Sequence, residues 1–489
     1  MSRFLFVVPP LVGHVNPLVG VAAELASRGH PVAWAGVPEL VCRLAGPDAH
    51  VFPSPVSWAE ADRPVRPADI RGPEALRFLW ERFLVPLADA MADGVREAVL
   101  AFRPDVVVAD QQAPAGALVA ERLGVPWATS ATTPAEFTDA LAAMPKAAAW
   151  IDALLRDLRQ RIGDPEGTAD PRFSPRLVLA FTAPELAGPP ARGGDAIRWV
   201  GPSLTARPSP ADFPWEWLDP GRATVLVTLG TANTGAGERF LTACAEALRA
   251  RADRLQAVVV DPQGALGARP GAGPNGAFPG TGTGTGTERG TGTGRGTGTG
   301  RGGFRVDGDL LALPEVPQLA LLRRVDAVVC HAGHNTVVEA LWHGVPLVVA
   351  PIRDDQPVVA AQVCDAGAGV RVRFGRATAA RIGDAVDAVL YGPGHRAAAR
   401  AVGSALRAAG GAAAAADHLE RMPEVPGDHE DVEASENSEN SEAYEVFEDA
   451  EAHGGPGEPG KPEQHEEPAQ PGKPRKPRKP GTAEEREAG

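Results

Sequence analysis

Cysteine is scarce in this chain. Only Cys42, Cys244, Cys330 and Cys364 occur among 489 residues, widely separated and with no Cys-x-x-Cys pair. That excludes a disulfide framework and a cysteine zinc site. Each has apolar neighbours, so buried free thiols in a reducing cytosol are expected. Long apolar runs are also missing. The opening run Phe4–Val8 is far too short to cross a bilayer and leads into a glycine turn, so it reads as a first buried strand, not a signal peptide or anchor. Positive charge is not in excess over the part that folds as a whole. Residues 422–489 hold 19 Asp and Glu against 7 Lys and Arg, which leaves a net of only −2 for residues 1–421 out of the total of −14. Without a basic stripe a nucleic-acid partner is not expected.

Two segments lack the apolar residues that would offset the entropy of ordering them. Residues 270–303 are largely Gly-Thr repeats, expected to form a disordered insert between strands. Residues 422–489 carry a Ser-Glu-Asn repeat and then a basic run from Lys473 to Lys479, expected to be a disordered acidic tail.

What remains has one rhythm, played twice. Strands are expected at Phe4–Val8, Pro31–Ala35, Val106–Ala109 and Trp127–Ser130, with a helix over Pro17–Arg28 whose apolar face is Leu18, Val21, Ala22 and Leu25. The pattern restarts at Ala223–Gly230 and continues through Gln256–Val260, Ala327–Cys330 and Pro346–Pro351. Continuous apolar runs such as Val106-Val107-Val108-Ala109 suit parallel strands buried on both faces. The fold class is therefore α/β, with two Rossmann-like doubly wound domains facing each other across a cleft. The expected division is 1–207, a Pro- and Asp-rich linker 208–222, and 223–421.

The chemistry-bearing residues cluster at the carboxyl ends of strands. His331-Ala332-Gly333-His334-Asn335-Thr336 follows Ala327–Cys330 and opens a helix carrying Glu339. A small turn at a helix start presents N–H groups and the positive end of the dipole, which suits a diphosphate, and Glu339 can accept from ribose hydroxyls. Taken alone, Gly333 can equally be a tight turn and Asn335 or Thr336 a helix cap. Asp354-Asp355-Gln356 follows the next strand, where acid and amide groups can bond sugar hydroxyls. Upstream, Glu315-Val316-Pro317-Gln318 leaves backbone groups able to bond a base edge.

In the first half His14 follows the first strand within Gly13-His14-Val15-Asn16-Pro17, and Asp110 ends the strand Val106–Ala109. A histidine backed by a buried carboxylate is a general-base pair. A helix cap and a turn residue are the plain alternatives for the two.

Together and in this order, Val316-Pro317-Gln318, His331-Ala332-Gly333, Asn335-Thr336, Glu339-Ala340, Gly344-Val345-Pro346 and Asp355-Gln356 resemble the donor-binding region of the family 1 glycosyltransferases, which include plant and antibiotic-tailoring UDP-glycosyltransferases. The resemblance covers about residues 3–410 apart from the insert. It implies a GT-B fold and transfer from a UDP- or dTDP-sugar to a small apolar acceptor. The Val316 backbone and Gln318 would lie at the base and Glu339 at the ribose. His331, Gly333, Asn335, Thr336 and Thr231 would hold the diphosphate, with Asp355 and Gln356 at the sugar. His14 would be the base, with Asp110 behind it.

Family members often carry an aromatic residue at the position of Glu315, so this sequence departs where the nucleobase would stack, and a thymidine donor stays open. No metal is expected: Asp307-Gly308-Asp309 is the Asp-x-Asp considered, and it borders the insert. Trp58, Trp80, Phe83, Leu84, Phe137, Met144 and Trp150 are expected to roof the acceptor side of the cleft. A nucleotide-sugar epimerase or hydrolase of the same fold, a catalytically silent helper, and a lipid-linked transferase are the rival readings.

Overall fold

The computed structural model describes residues 1–54, 70, 72–133, 137, 141, 144–191, 194–204, 213–230, 237–267, 298–299 and 305–422. Thr231, Trp58, the tail beyond Met422 and most of the Gly-Thr insert lie outside them.

The first sheet contains β1 (Phe4–Val7), β2 (Val32–Gly36), β3 (Val51–Pro53), β4 (Val106–Asp110), β5 (Trp127–Ala131), β6 (Val178–Ala180) and β7 (Ile197–Trp199). All its pairings are parallel, in the order β3-β2-β1-β4-β5-β6-β7. The second contains β8 (Ala223–Thr228), β9 (Leu255–Val260), β10 (Gly298–Thr299), β11 (Arg305–Asp307), β12 (Leu310–Leu313), β13 (Ala327–Cys330), β14 (Leu347–Val349) and β15 (Gly369–Arg371). Its order is β10-β11-β12-β9-β8-β13-β14-β15, antiparallel only where β11 meets β10 and β12. The pair β10 and β11 gives the end of the Gly-Thr stretch a partner inside the region expected to be structureless.

The central strands of both sheets are buried on both faces, as their unbroken apolar runs require. In β1, Phe4 and Phe6 pack with Leu18, Val21 and Leu25 of the helix Val12–Ser27. The alternate residues Leu5 and Val7 pack on the other side against Leu87, Met91 and Leu118. The second sheet divides likewise: Leu226, Val328 and Leu347 face one core, and Val225, Val227 and Val329 the other.

In a doubly wound sheet the chain runs outward from a middle strand in both directions, and a crevice opens at the carboxyl ends where the direction reverses. The reversal lies between β1 and β4 in the first sheet, and between β8 and β13 in the second. His14 follows β1 and Asp110 ends β4; Gly230 follows β8 and His331 follows β13.

Packing crosses the boundaries drawn from composition. The helix Gly411–Glu420 belongs to the stretch expected in the second half. Yet Ala415, Ala416, Leu419 and Met422 complete the core around Phe4 and Phe6. Arg28 fixes that helix from the first half through Asp417 at 2.7 Å and Glu420 at 2.8 Å. In the other direction, Ala183, Leu186 and Phe213 are part of the second half's core. Trp215, Trp217 and Leu218 of the expected linker also pack on it. Of the four thiols, Cys244 and Cys330 are buried, whereas Cys42 and Cys364 are only half-buried.

Candidate active site

His14 stands in the first turn of the helix Val12–Ser27, which begins five residues before the expected Pro17. Its Nδ1 lies 2.8 Å from Asp110 Oδ1. The Asp110 side chain is wholly buried, and His14 is 14% exposed. A buried carboxylate is costly unless its oxygens are bonded. Asp110 meets that requirement with the Gln112 N–H at 2.9 Å on Oδ1 and the Thr132 hydroxyl at 3.0 Å on Oδ2. Ser130, the register partner of Asp110 on β5, donates to Oδ2 at 3.5 Å.

Burial pulls the His14 imidazole towards the neutral form. The Asp110 charge and hydrogen bond, with a smaller contribution from Asp355, outweigh it and hold the pKa above the usual 6.5. The influence of Asp355 matters structurally as well, because it belongs to the second half.

Thr132 was not singled out from sequence. Its hydroxyl lies 2.7 Å from His14 Nδ1 as well as bonding Asp110, so it completes the group. The signal was there to find: Thr132 follows β5, the neighbour of β4, at the same carboxyl edge.

Across the cleft, the turn after β13 is built around the His331 ring. A Cβ on Gly230 would lie 2.6 Å from His331 Cε1, and one on Gly333 would collide with Nε2. Gly230 also has a φ of +67°, which favours glycine. Gly333 is thus needed for the space the imidazole occupies. Ala332, between them, takes a left-handed φ of +63°, an uncommon conformation for a residue with a side chain. Burial above all, with the Arg353 charge acting the same way and a hydrogen bond to the Thr228 backbone opposing them, lowers the His331 pKa to about 4, so the ring is neutral at physiological pH. The helix His334–Trp342 starts here with no side chain capping its first N–H groups.

Glu339 and Thr336 are buried on that helix. Gln318 donates to Glu339 Oε2 at 2.6 Å, which joins the expected base and ribose segments. Val316 is half-buried beside the second core, and Glu315 is exposed. Asn335 is used differently from expectation: its Nδ2 donates to the Gly13 carbonyl of the first half at 2.8 Å. Gln356 accepts with its Oε1 from the Ile352 and Arg353 N–H groups at 2.9 and 3.1 Å, which shapes the loop carrying Asp355 and leaves its NH₂ for a ligand. Of the Asp-x-Asp pair, Asp309 is bonded by Arg222 at 2.6 Å, and Asp307 lies on β11.

A cavity of about 810 Å³ lies between the first-half segments and the loop Ile352–Asp355. Trp80, Met144 and Trp150 line it as expected, together with Leu76, Leu79 and Ile151. Leu84 and Phe137 do not: they are packed in cores with Trp80 and Phe173 respectively. Phe83 packs against the core beside Leu84. Among the described residues, no helix is long and apolar enough to cross a membrane.

A family model described as UDP-glucoronosyl and UDP-glucosyl transferase matches residues 307–404, the stretch that carries Val316, His331, Glu339 and Asp355. The chain is 30% identical over 436 residues to 4'-demethylrebeccamycin synthase of Lentzea aerocolonigenes, covering 81% of this chain and 93% of that protein. It is 29% identical over 451 residues to demethyllactenocin mycarosyltransferase of Streptomyces fradiae, covering 86% and 87%. Among solved structures it resembles the glycotransferase of kitacinnamycin, with a TM-score of 0.62, 24% identity and coverage of 86% and 98%. Another is a spinosyn rhamnosyltransferase complexed with thymidine diphosphate, with a TM-score of 0.61, 21% identity and coverage of 86% and 100%. These two likenesses establish the GT-B fold.

Proposed function

The chain belongs to the UDP-glycosyltransferase family, and from that premise we propose that it moves a sugar from a uridine or thymidine diphosphate donor to a hydroxyl of a small apolar natural product. The transfer goes in one inverting step without a metal.

One observation carries the reading. The Asn335–Gly13 bond brings the two switch points together, so that the His14–Asp110 pair and the turn around His331 open on one cleft. A neutral hydroxyl is a poor nucleophile. With Nδ1 held by Asp110, His14 Nε2 is the nitrogen that takes the acceptor's proton as the oxygen attacks, a contribution of about 10²–10⁴ in rate. Asp110 stabilises the imidazolium that forms. The bond from the sugar to the diphosphate breaks on the opposite face. The His331 N–H and the backbone N–H groups of the Gly333–Thr336 turn meet the charge that develops there. Glu339 and Gln318 hold the nucleoside, and Asp355 with the Gln356 NH₂ holds the sugar. Glu315 in place of an aromatic leaves uracil and thymine both acceptable.

The large apolar cavity beside Asp355 is the acceptor's place. Mass spectrometry of the full-length protein with UDP- and dTDP-sugars and a panel of apolar polycyclic alcohols tests this. A product heavier by one sugar is expected. Release of free sugar at the same rate with and without acceptor would overturn the reading in favour of hydrolysis.

A further inference from the structure

Residues 1–421 contain 41 basic side chains, and Lys146 is the only lysine among them. It occupies the second position of the helix Pro145–Ile162, whose first turn contains no acid and whose N-cap offers no side-chain bond. A cation at a helix N-terminus opposes the dipole, so local stability does not account for Lys146. Its position in the fold does. Lys146, Ala147, Trp150 and Ile151 form one i, i+4 stripe, and all four line the large cavity.

Arg77 lines the same cavity from the segment that also supplies Leu76 and Trp80. Both cations are exposed, and among the described residues neither has an ion-pair or hydrogen-bond partner. The third first-half cation in the lining, Arg172, is buried and neutralised by Asp170 at 2.7 Å. No described carboxylate of the first half lines the cavity. The acids in its lining, Asp354 and Asp355, belong to the loop on the donor side, where Arg353 lies 3.8 Å from Asp354.

The first-half wall of the acceptor chamber is therefore apolar with two cations and no described acid, whereas the loop on the donor side carries both signs. We propose that the preferred acceptor is an apolar molecule bearing an anionic group, a carboxylate or an acidic phenol. Lys146 and Arg77 bind that group and thereby aim the neutral hydroxyl at His14. The inference rests on the transfer reading above for what the cavity holds. The two lining cations are specificity residues.

The test uses the full-length protein and three probes that differ in one group: a hydroxynaphthoic acid, its methyl ester and its carboxamide. Binding is measured by fluorescence quenching in the presence of UDP, without turnover. The acid is expected to bind about two- to fivefold more tightly than the ester, the range of an exposed ion pair. Lys146→Gln and Arg77→Gln should each shrink that ratio while leaving ester binding unchanged, and Lys146→Glu should invert it. Equal binding of acid and ester, or a ratio that none of the three substitutions moves, would overturn the proposal. If the acid preference holds but no sugar reaches any acceptor, it is the transfer reading that fails and the anion site that stands.

Discussion

The side-chain amide of Asn335 donates to the carbonyl oxygen of Gly13 at 2.8 Å, and that oxygen is available because Pro17 stands four residues further along the same helix. In a regular helix the N–H of residue 17 would bond the carbonyl of residue 13, but proline has none. The proline that would ordinarily mark a helix start here creates an acceptor inside the helix, one residue before the catalytic candidate His14. The helix that would hold the diphosphate is thereby hydrogen-bonded to the helix that carries the base.

Removing either end of this arrangement should loosen it. Asn335→Ala is expected to lower kcat about three- to tenfold, the equivalent of one modest hydrogen bond, with a smaller change in UDP affinity. Pro17→Ala supplies an N–H that competes for the Gly13 oxygen and should mimic it in part. In the double variant the effects should be less than additive, since both act on one bond. Strict additivity in kcat would show that the two residues act independently.

The His14–Asp110 pair predicts a pH profile with a definite sign. The base works only when neutral, and its pKa is held above 6.5, so kcat/KM should fall as pH drops through a midpoint above 6.5. Asp110→Asn removes the charge that opposes burial, so the midpoint should move down while the rate itself falls by about 10²-fold or more. His14→Ala should abolish transfer and leave UDP binding nearly intact by calorimetry. An acid limb that stays in place in Asp110→Asn would mean that another group titrates.

Much of this was legible in the sequence, for a physical reason. A strand buried on both faces must be apolar without interruption, so β1, β4, β8 and β13 declare themselves, and with them the carboxyl ends where His14, Asp110 and His331 stand. The three-residue strands β3, β6, β7, β11, β14 and β15 are too short for a period, and of these only β14 was expected. The alanine-rich helix Gly411–Glu420 signals a helix, but nothing local says that Ala415 and Leu419 will pack on Phe4 and Phe6. The diphosphate role expected for Asn335 comes from its place in the motif, and its bond to Gly13 has no local signal because that partner lies 322 positions away. Thr132 escaped notice because one hydroxyl among Thr129, Ser130, Thr132 and Thr133 carries no pattern of its own.

The space around His331 makes a third prediction. Gly333→Ala places a methyl group against the imidazole, and Gly230→Ala adds left-handed backbone strain to the same contact. Either should displace the ring and weaken UDP binding about as much as His331→Ala does, on the order of 1.5–3 kcal/mol if the bond to phosphate is charge-assisted. Glu339→Ala should weaken UDP similarly, with no acceptor present. Calorimetry with UDP alone measures all four. Unchanged affinity throughout would place the nucleotide elsewhere.

The last prediction concerns metal and stereochemistry together. Proposed stabilisation of the leaving diphosphate rests on the His331 N–H and the uncapped N–H groups that begin the helix His334–Trp342. If these suffice, most of the rate should survive excess EDTA. A divalent ion would instead bind through carboxylates and phosphates. The Asp-x-Asp pair would then be its protein ligand, Asp309 would have to leave Arg222, and chelation would silence the enzyme. The sugar's course is set by the other half of the cleft. A hydroxyl deprotonated by His14 attacks the face opposite the diphosphate, so an α-linked donor should give a β-linked product. The coupling constant of the product's anomeric proton reads this directly for a gluco-configured sugar. Retention of configuration would rule out the single displacement and require a covalent or front-face route, for which the His14–Asp110 pair has no evident role.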